Sequence, residues 1–306
     1  MEPFTELMKE LESKRFTLTG ELEPEKVTDL TEVIKEAEAL KGYVTACNVT
    51  DNPQSFTYMS SLACSHVVQE KAGMETVYQL TCRDRNRMAL FSDLLGAAAL
   101  NIKNVLALTG DHTSLGDMPE SKPVFDLDSS QLVYMMKKMM DEGVDLNGKK
   151  ITPPPKYYVG VAANPNSDPL EPEILKLGKK ERAGADFVQT QVVFDIETVE
   201  KFLDASSNVS IPILIGVFPL KSFGVADFFD KYVPGVSVPK ELLEEFRKVK
   251  TEVEDKSEQR KRYDEINEEY FTAFLKEIKK TSAAGCHIMA VNYVDMIKTL
   301  INNIRG

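Results

Sequence analysis

The chain has 306 residues, 42% hydrophobic and 28% charged, which is enough apolar material for a large core. Its 37 basic and 48 acidic residues leave a net charge of −11, a surface that repels nucleic-acid phosphates and anionic lipid, so neither is an expected partner. No apolar run approaches the ~20 residues that cross a bilayer, and the start, MEPFTELMKELESKRF, reads as a charged amphipathic helix without an apolar signal core, so a cytoplasmic protein is expected.

Beyond that first helix, short apolar runs alternate with longer amphipathic ones. A strand over 16–22 precedes a helix over 30–40, one over 43–49 precedes 56–71, and one over 76–80 precedes 86–100. The fourth strand, 104–108, leads into a polar loop over 110–128 and then a helix over 129–142. Strands over 157–162, 187–190 and 213–217 precede helices over 171–183, 196–206 and 223–232. A long charged stretch, 240–280, follows, and its core at 241–280 reads as two solvated helices broken near 255–257, with a partner surface as the other reading. The last strand, 285–290, is followed by a helix over 293–304. Gly143 and Gly184 close two helices that end alike, in Asp-Glu-Gly-Val-Asp and Arg-Ala-Gly-Ala-Asp, and Pro153–Pro155 stiffens the lead into the fifth strand. Eight βα units without a composition break predict one α/β domain over 1–306, a (β/α)8 TIM barrel, with a doubly wound sheet as the main rival.

Several chemistries lack their residues. Cys47, Cys64, Cys82 and Cys286 are widely spaced without a CxxC pair, so buried free thiols are expected rather than disulfides or an iron–sulfur cluster. His66, His112 and His287 form no HxH or HExxH pattern, so no metal site is expected, and His287 reads as a satisfied interior histidine. There is no GxSxG elbow, and Cys82 has no evident base.

In a barrel, reactive groups belong at the C-terminal ends of strands. Those positions hold Glu21, Thr50-Asp51-Asn52, Thr81-Cys82-Arg83-Asp84, Thr109-Gly110-Asp111, Asn164 to Asp168, Gln191 and Asn292. Glu21 is either a carboxyl shielded by apolar neighbours and suited to general acid catalysis, or a strand-end carboxylate in water, while Glu23 and Glu25 read as solvated. Asp111 is either a plain turn residue or the opening of a ligand loop. Glu173, Lys176 and Lys180 share a helical face, as a surface salt-bridge stripe or as a clamp for a pyrophosphate and a ribose hydroxyl.

An ordered set of segments then resembles the methylenetetrahydrofolate reductase family. These are Gly20-Glu-Leu-Glu-Pro24, Asn48-Val-Thr50, Gln79-Leu-Thr-Cys82, Leu106-Ala-Leu-Thr-Gly-Asp111, Ala162-Ala-Asn-Pro165, Lys180-Glu-Arg-Ala-Gly-Ala185, Gln189-Thr-Gln-Val-Val-Phe-Asp195 and Val291-Asn292. The run Thr81-Cys-Arg-Asp-Arg-Asn86, with Ser92-Asp-Leu-Leu-Gly-Ala-Ala-Ala99, further resembles the branch of acetogenic and related anaerobic bacteria. The resemblance implies a (β/α)8 barrel with noncovalent FAD that passes hydride to 5,10-methylenetetrahydrofolate and yields 5-methyltetrahydrofolate. NADH, NADPH or a partner protein would supply the electrons, and a homo-oligomer or complex subunit is expected. Glu21 matches the family's general acid, Asp111 an aspartate beside folate and flavin, Gln191 a folate-contacting glutamine, and Phe229 keeps an aromatic substrate position. Thr50, Gly110, Asp111, Asp128, Ser129, Ala162, Glu173, Lys176 and Lys180 fall on flavin positions. Gln79, Asn164 and Asp168 do so as replacements for a histidine, a tyrosine and a second histidine. Thr109 and Tyr293 stand where relatives carry arginine, and Val225 replaces a polar contact. A folate-binding methyl-transfer barrel without redox chemistry is the reading from another class.

Overall fold

The computed structural model describes residues 2–233, 235–290 and 292–305, so Val291 of the last motif lies outside the described residues. Eight parallel strands close into a barrel in sequence order: β1 (Thr17–Leu22), β2 (Ala46–Val49), β3 (Thr76–Thr81), β4 (Asn104–Leu108), β5 (Tyr158–Ala163), β6 (Phe187–Val192), β7 (Ile213–Val217) and β8 (Gly285–Ile288). Closure comes from β8 pairing with β1, Thr17 opposite Gly285 through Gly20 opposite Ile288. The doubly wound alternative is thereby excluded.

The helices are α1 (Glu6–Glu12), α2 (Thr31–Leu40), α3 (Ser61–Ala72), α4 (Arg87–Ala99), α5 (Ser129–Lys137), α6 (Glu171–Ala183), α7 (Ile196–Ala205), α8 (Phe223–Tyr232), α9 (Lys240–Glu252), α10 (Lys256–Ile278) and α11 (Val294–Arg305). Gly143 and Gly184 adopt φ of 64° and 111°, the left-handed turn that stops a helix. Two stretches differ from the sequence reading. The helix expected from residue 56 begins only at Ser61, because 52–58 is a loop tied back on itself by Asn52 Oδ1, which accepts from Tyr58 N at 2.8 Å. Beyond α5 the ladder loosens into a π turn over Lys138–Glu142.

Side chains alternate across each strand, and the inward set changes character from bottom to top. At the N-terminal end Ala46, Val77, Leu106, Tyr158, Phe187 and Leu214 pack around Leu7, Met8 and Leu11 of α1. The first helix therefore plugs the barrel floor. Its free N–H groups are met by Glu75, whose carboxylate accepts from Glu6 N at 2.8 Å and Leu7 N at 2.9 Å, and by Thr5, which accepts from Met8 N at 3.0 Å. Two residues further along the strands the inward positions turn polar: Thr19, Asn48, Gln79, Gln189 and His287 are all buried.

The charged segment before β8 is not solvated all round. Leu242, Phe246 and Val249 of α9 and Tyr263, Phe271, Phe274, Leu275 and Ile278 of α10 are buried. Asn267 of α10, 0% exposed, pins this layer to the loop after β7. Its amide donates to Leu220 O at 2.6 Å and to Tyr263 O at 2.7 Å, and accepts from Leu220 N at 2.7 Å. Asn267→Leu should strand both Leu220 backbone groups and cost about 1–3 kcal/mol, read as a lower midpoint in urea unfolding. An unshifted midpoint would show that the amide does not hold the layer.

Candidate active site

With the floor plugged, the barrel opens at the C-terminal ends of its strands, where a cavity of about 460 Å³ lies. Glu21 of β1, Gln79 of β3, Ala162 of β5 and Gln191 of β6 line it directly from the strands. Thr50, Gly110, Asp111 and Asn164 line it from the loops that follow β2, β4 and β5. Ser129 of α5, Glu173 and Lys180 of α6, and Phe229 of α8 complete the wall. Three other candidate positions lie outside this lining. Asp128 caps α5, accepting from Gln131 N at 2.8 Å, Asp168 is exposed in the loop before α6, and Lys176 is exposed 3.6 Å from Glu173. Asn292 is exposed too, away from this cavity, its backbone N–H held by Glu36 at 2.8 Å.

Glu21 is 8% exposed, so it is shielded rather than bathed in water. Two nitrogens approach its Oε2: Gln79 Nε2 donates at 3.3 Å, and His287 Nε2 lies at 3.4 Å. His287 is an interior histidine with both ring nitrogens engaged, but its position beside Glu21 was not foreseen. The clue lay in period two, since His287 occupies an inward position of β8. Glu25 is exposed, whereas Glu23, read as solvated, is half-buried and lines the cavity. Burial, with the charges of Glu21 and Glu25, pushes its carboxyl up to about 7.

The mouth is shaped by a side chain that the sequence places at a strand end without giving it a role. Arg83, 1% exposed, donates to both carboxylate oxygens of Asp84 at 2.8 and 2.7 Å, to Ser55 Oγ at 3.1 Å, to Asn52 O at 3.1 Å and to Asp111 O at 3.4 Å. Ser55 Oγ donates in turn toward Asp111 O and His112 O at 3.1 and 3.0 Å. The β2 loop so held carries three non-glycine residues with positive φ, Asn52 (51°), Gln54 (51°) and Ser55 (64°), conformations that surrounding contacts must impose. Gly110, at φ 93°, sits against β3 where a Cβ would overlap Thr81 Cγ2. Arg85 pairs with Asp51 at 2.6 Å and Asp93 at 2.8 Å, and Asp51 accepts from Thr81 N at 2.9 Å. The run of charge immediately after a strand was the available signal for both arginines.

The α6 side of the cavity holds a cation and an acid. Lys180 Nζ donates to Ala162 O at 2.6 Å, and burial holds its pKa below the usual lysine value. Glu173 accepts from Asn164 N at 3.0 Å. Two strands further round, Phe229 packs on Phe218 with centroids 4.6 Å apart and on Phe194 at 5.7 Å. Thr50 lines the cavity, and its Oγ1 is buried without a hydrogen-bond partner among the described residues. The four cysteines are free and buried. No helix among the described residues is long and apolar enough to cross a membrane.

Against known proteins, the profile of the family described as "Methylenetetrahydrofolate reductase" matches residues 6–305. A probable methylenetetrahydrofolate reductase (NADPH) of Caenorhabditis elegans is 25% identical over 205 residues, 65% of this chain and 28% of that protein. A 5,10-methylenetetrahydrofolate reductase of Buchnera aphidicola is 28% identical over 197 residues, 61% of this chain and 59% of its own length. The match thus spans less than two thirds of either relative. Among solved structures, an uncharacterized Clostridium thermocellum protein that binds two copies of 5-methyl-5,6,7,8-tetrahydrofolic acid superposes with a TM-score of 0.67. At 15% identity, over 98% of this chain and 97% of that one, it shares the fold.

The Glu23 carboxyl makes stability pH-dependent. Its folded pKa of about 7 exceeds the ordinary 4.5, so the native state keeps a proton that the unfolded chain releases. That contribution is full below pH 4.5 and is lost as pH rises through about 7. Glu23→Gln should flatten the fall in stability over this window and be more stable than wild type above it, by up to about 3 kcal/mol in urea unfolding. An unchanged slope would place the titration elsewhere.

Proposed function

Because the chain belongs to the methylenetetrahydrofolate reductase family, we propose that it holds FAD noncovalently in the barrel mouth and reduces 5,10-methylenetetrahydrofolate to 5-methyltetrahydrofolate, a cytoplasmic step of one-carbon metabolism. The observation that carries this reading is that Glu21, Asp111 and Gln191 share one cavity with Thr50, Glu173 and Lys180. The residues present fit the cofactor. Thr50 offers its unpartnered hydroxyl, Gly110 lines the cavity with backbone alone, and a phosphate would restore the charged form that burial disfavours in Lys180. Glu173 offers an acceptor for a ribose hydroxyl, so the α6 face is read as a clamp with Lys176 on its outer edge. When bound, FAD supplies the hydride.

The chain's own residues supply binding and proton chemistry. Opening the five-membered ring of the substrate needs a proton at N10, and Glu21, shielded at the strand end, holds and delivers it. Asp111 stands on the cavity wall with its backbone carbonyl fixed by Arg83 and Ser55, where its carboxylate stabilises the positive charge that develops on the opened ring. Gln191 presents a donor and an acceptor to the pterin edge, and Phe229 offers a flat apolar surface. The arginine-rich run from Thr81 to Asn86, which knits the mouth together, supports placement in the branch of anaerobic bacteria.

The purified protein should be yellow, with the absorbance of FAD, and should oxidise a reduced dye when methylenetetrahydrofolate is the acceptor. A colourless protein that FAD cannot reconstitute would overturn the reading in favour of methyl transfer without redox chemistry. Glu21→Gln should keep the flavin and lose turnover by roughly 10²- to 10⁴-fold. Full turnover in that variant would remove Glu21 from the mechanism. Assays with NADH, NADPH and an artificial donor in parallel identify the electron source, and robust turnover with NADH alone excludes an obligatory partner protein.

A further inference from the structure

Beneath Glu21 lies a set of buried polar side chains that the proposed reaction does not itself use, and its hydrogens can be followed one by one. Asn48 and Gln189 exchange two amide bonds, Asn48 Nδ2 to Gln189 Oε1 at 2.7 Å and Gln189 Nε2 to Asn48 Oδ1 at 3.0 Å. The second hydrogen on Gln189 Nε2 goes to Thr19 Oγ1 at 3.1 Å. Thr19 is 0% exposed, and its hydroxyl, already an acceptor, has His287 Nδ1 at 3.0 Å to receive its own hydrogen. A hydrogen on Nδ1 would leave that hydroxyl a buried donor with no acceptor among the described residues. With the Asn48 and Gln189 amides oriented this way, Nδ1 accepts and the ring hydrogen falls on Nε2, which faces Glu21 Oε2 at 3.4 Å. Gln79 Nε2 approaches the same oxygen at 3.3 Å.

We propose that His287 is a positioning residue: Gln189 and Thr19 lock it as the Nε2–H tautomer, and with Gln79 it engages one oxygen of Glu21, so that the other oxygen carries the transferable proton. This deepens the reading of Glu21 as general acid and rests on it. When the Oε1–H bond breaks and the proton passes to the substrate nitrogen, the electron pair stays on the carboxylate. The two N–H groups at Oε2 then meet a full negative charge, a stronger bond than they make to the neutral acid. The lock also fixes which way the carboxyl faces, a matter of tenths of an ångström for proton transfer.

Two measurements test this. In holoenzyme labelled with ¹⁵N-histidine, the His287 imidazole, assigned by its loss in His287→Gln, should show a protonated Nε2 and a bare Nδ1, and Thr19→Val should abolish that preference. A protonated Nδ1 in the wild type overturns the lock. In turnover with methylenetetrahydrofolate, His287→Leu should lower kcat on the order of tenfold or more with KM nearly unchanged. His287→Gln, which keeps an N–H of similar reach, should recover part of the loss. In a Glu21→Gln background His287→Leu should cost nothing further, whereas losses that multiply across the double mutant would show that the histidine does not act through Glu21. Bound flavin and the thermal midpoint report whether each variant is folded, and a variant that loses both is replaced by Thr19→Val in the same cycle. A wild type that binds flavin but cannot reduce methylenetetrahydrofolate overturns the functional reading, and the resonance pattern then decides the tautomer lock alone.

Discussion

The guanidinium of Arg83 has given up nearly all contact with water and directs five hydrogen bonds to oxygens of the loops after β2, β3 and β4. A buried charge on those terms is stable only if every donor is met, which makes the three loops mutually dependent. Asp84 neutralises the charge, Asn52 O and Ser55 Oγ fix the left-handed β2 loop, and Asp111 O sets the start of the long β4 loop. Neither a lysine nor a neutral side chain offers five coplanar donors in that space. Glu21, Thr50 and Asp111 line one cavity, and this cation holds the Asp111 corner of its rim in one arrangement.

The interior below the rim follows from a simpler rule. A strand exposes alternate residues inward, so a single strand can carry an apolar residue at the floor and polar ones above it. β2 does this with Ala46 and Asn48, β3 with Val77 and Gln79, β6 with Phe187 and then Gln189 and Gln191. The apolar layer needs a lid, and α1 supplies it, which is why an amphipathic helix precedes the first strand. The polar layer must satisfy itself, and the Asn48–Gln189–Thr19–His287 chain does so.

The barrel was legible because eight strand-like runs and their helices are local patterns, and the observed strands begin and end within a few residues of those read from periodicity. The placement of Glu21 and Gln191 at the barrel mouth was legible for the same reason: each lies at the end of a strand. What could not be read locally was which distant groups meet. His287 reaches Glu21 only because β8 closes on β1 across more than 260 residues of chain. Glu23 lies two residues past Glu21 and looks like a solvated charge until the loops around it are assembled. The α6 stripe shows the limit of helical spacing: Lys180 follows Glu173 by seven residues and returns to within about 20° of it, whereas Lys176, three residues on, sits about 60° away and turns to solvent.

The helix that plugs the floor also governs traffic. Anything that reaches Glu21 must come through the open end and leave by the same route, past the loops that Arg83 holds. With the floor closed by α1, the loops that frame the open end also frame every approach to the cavity there.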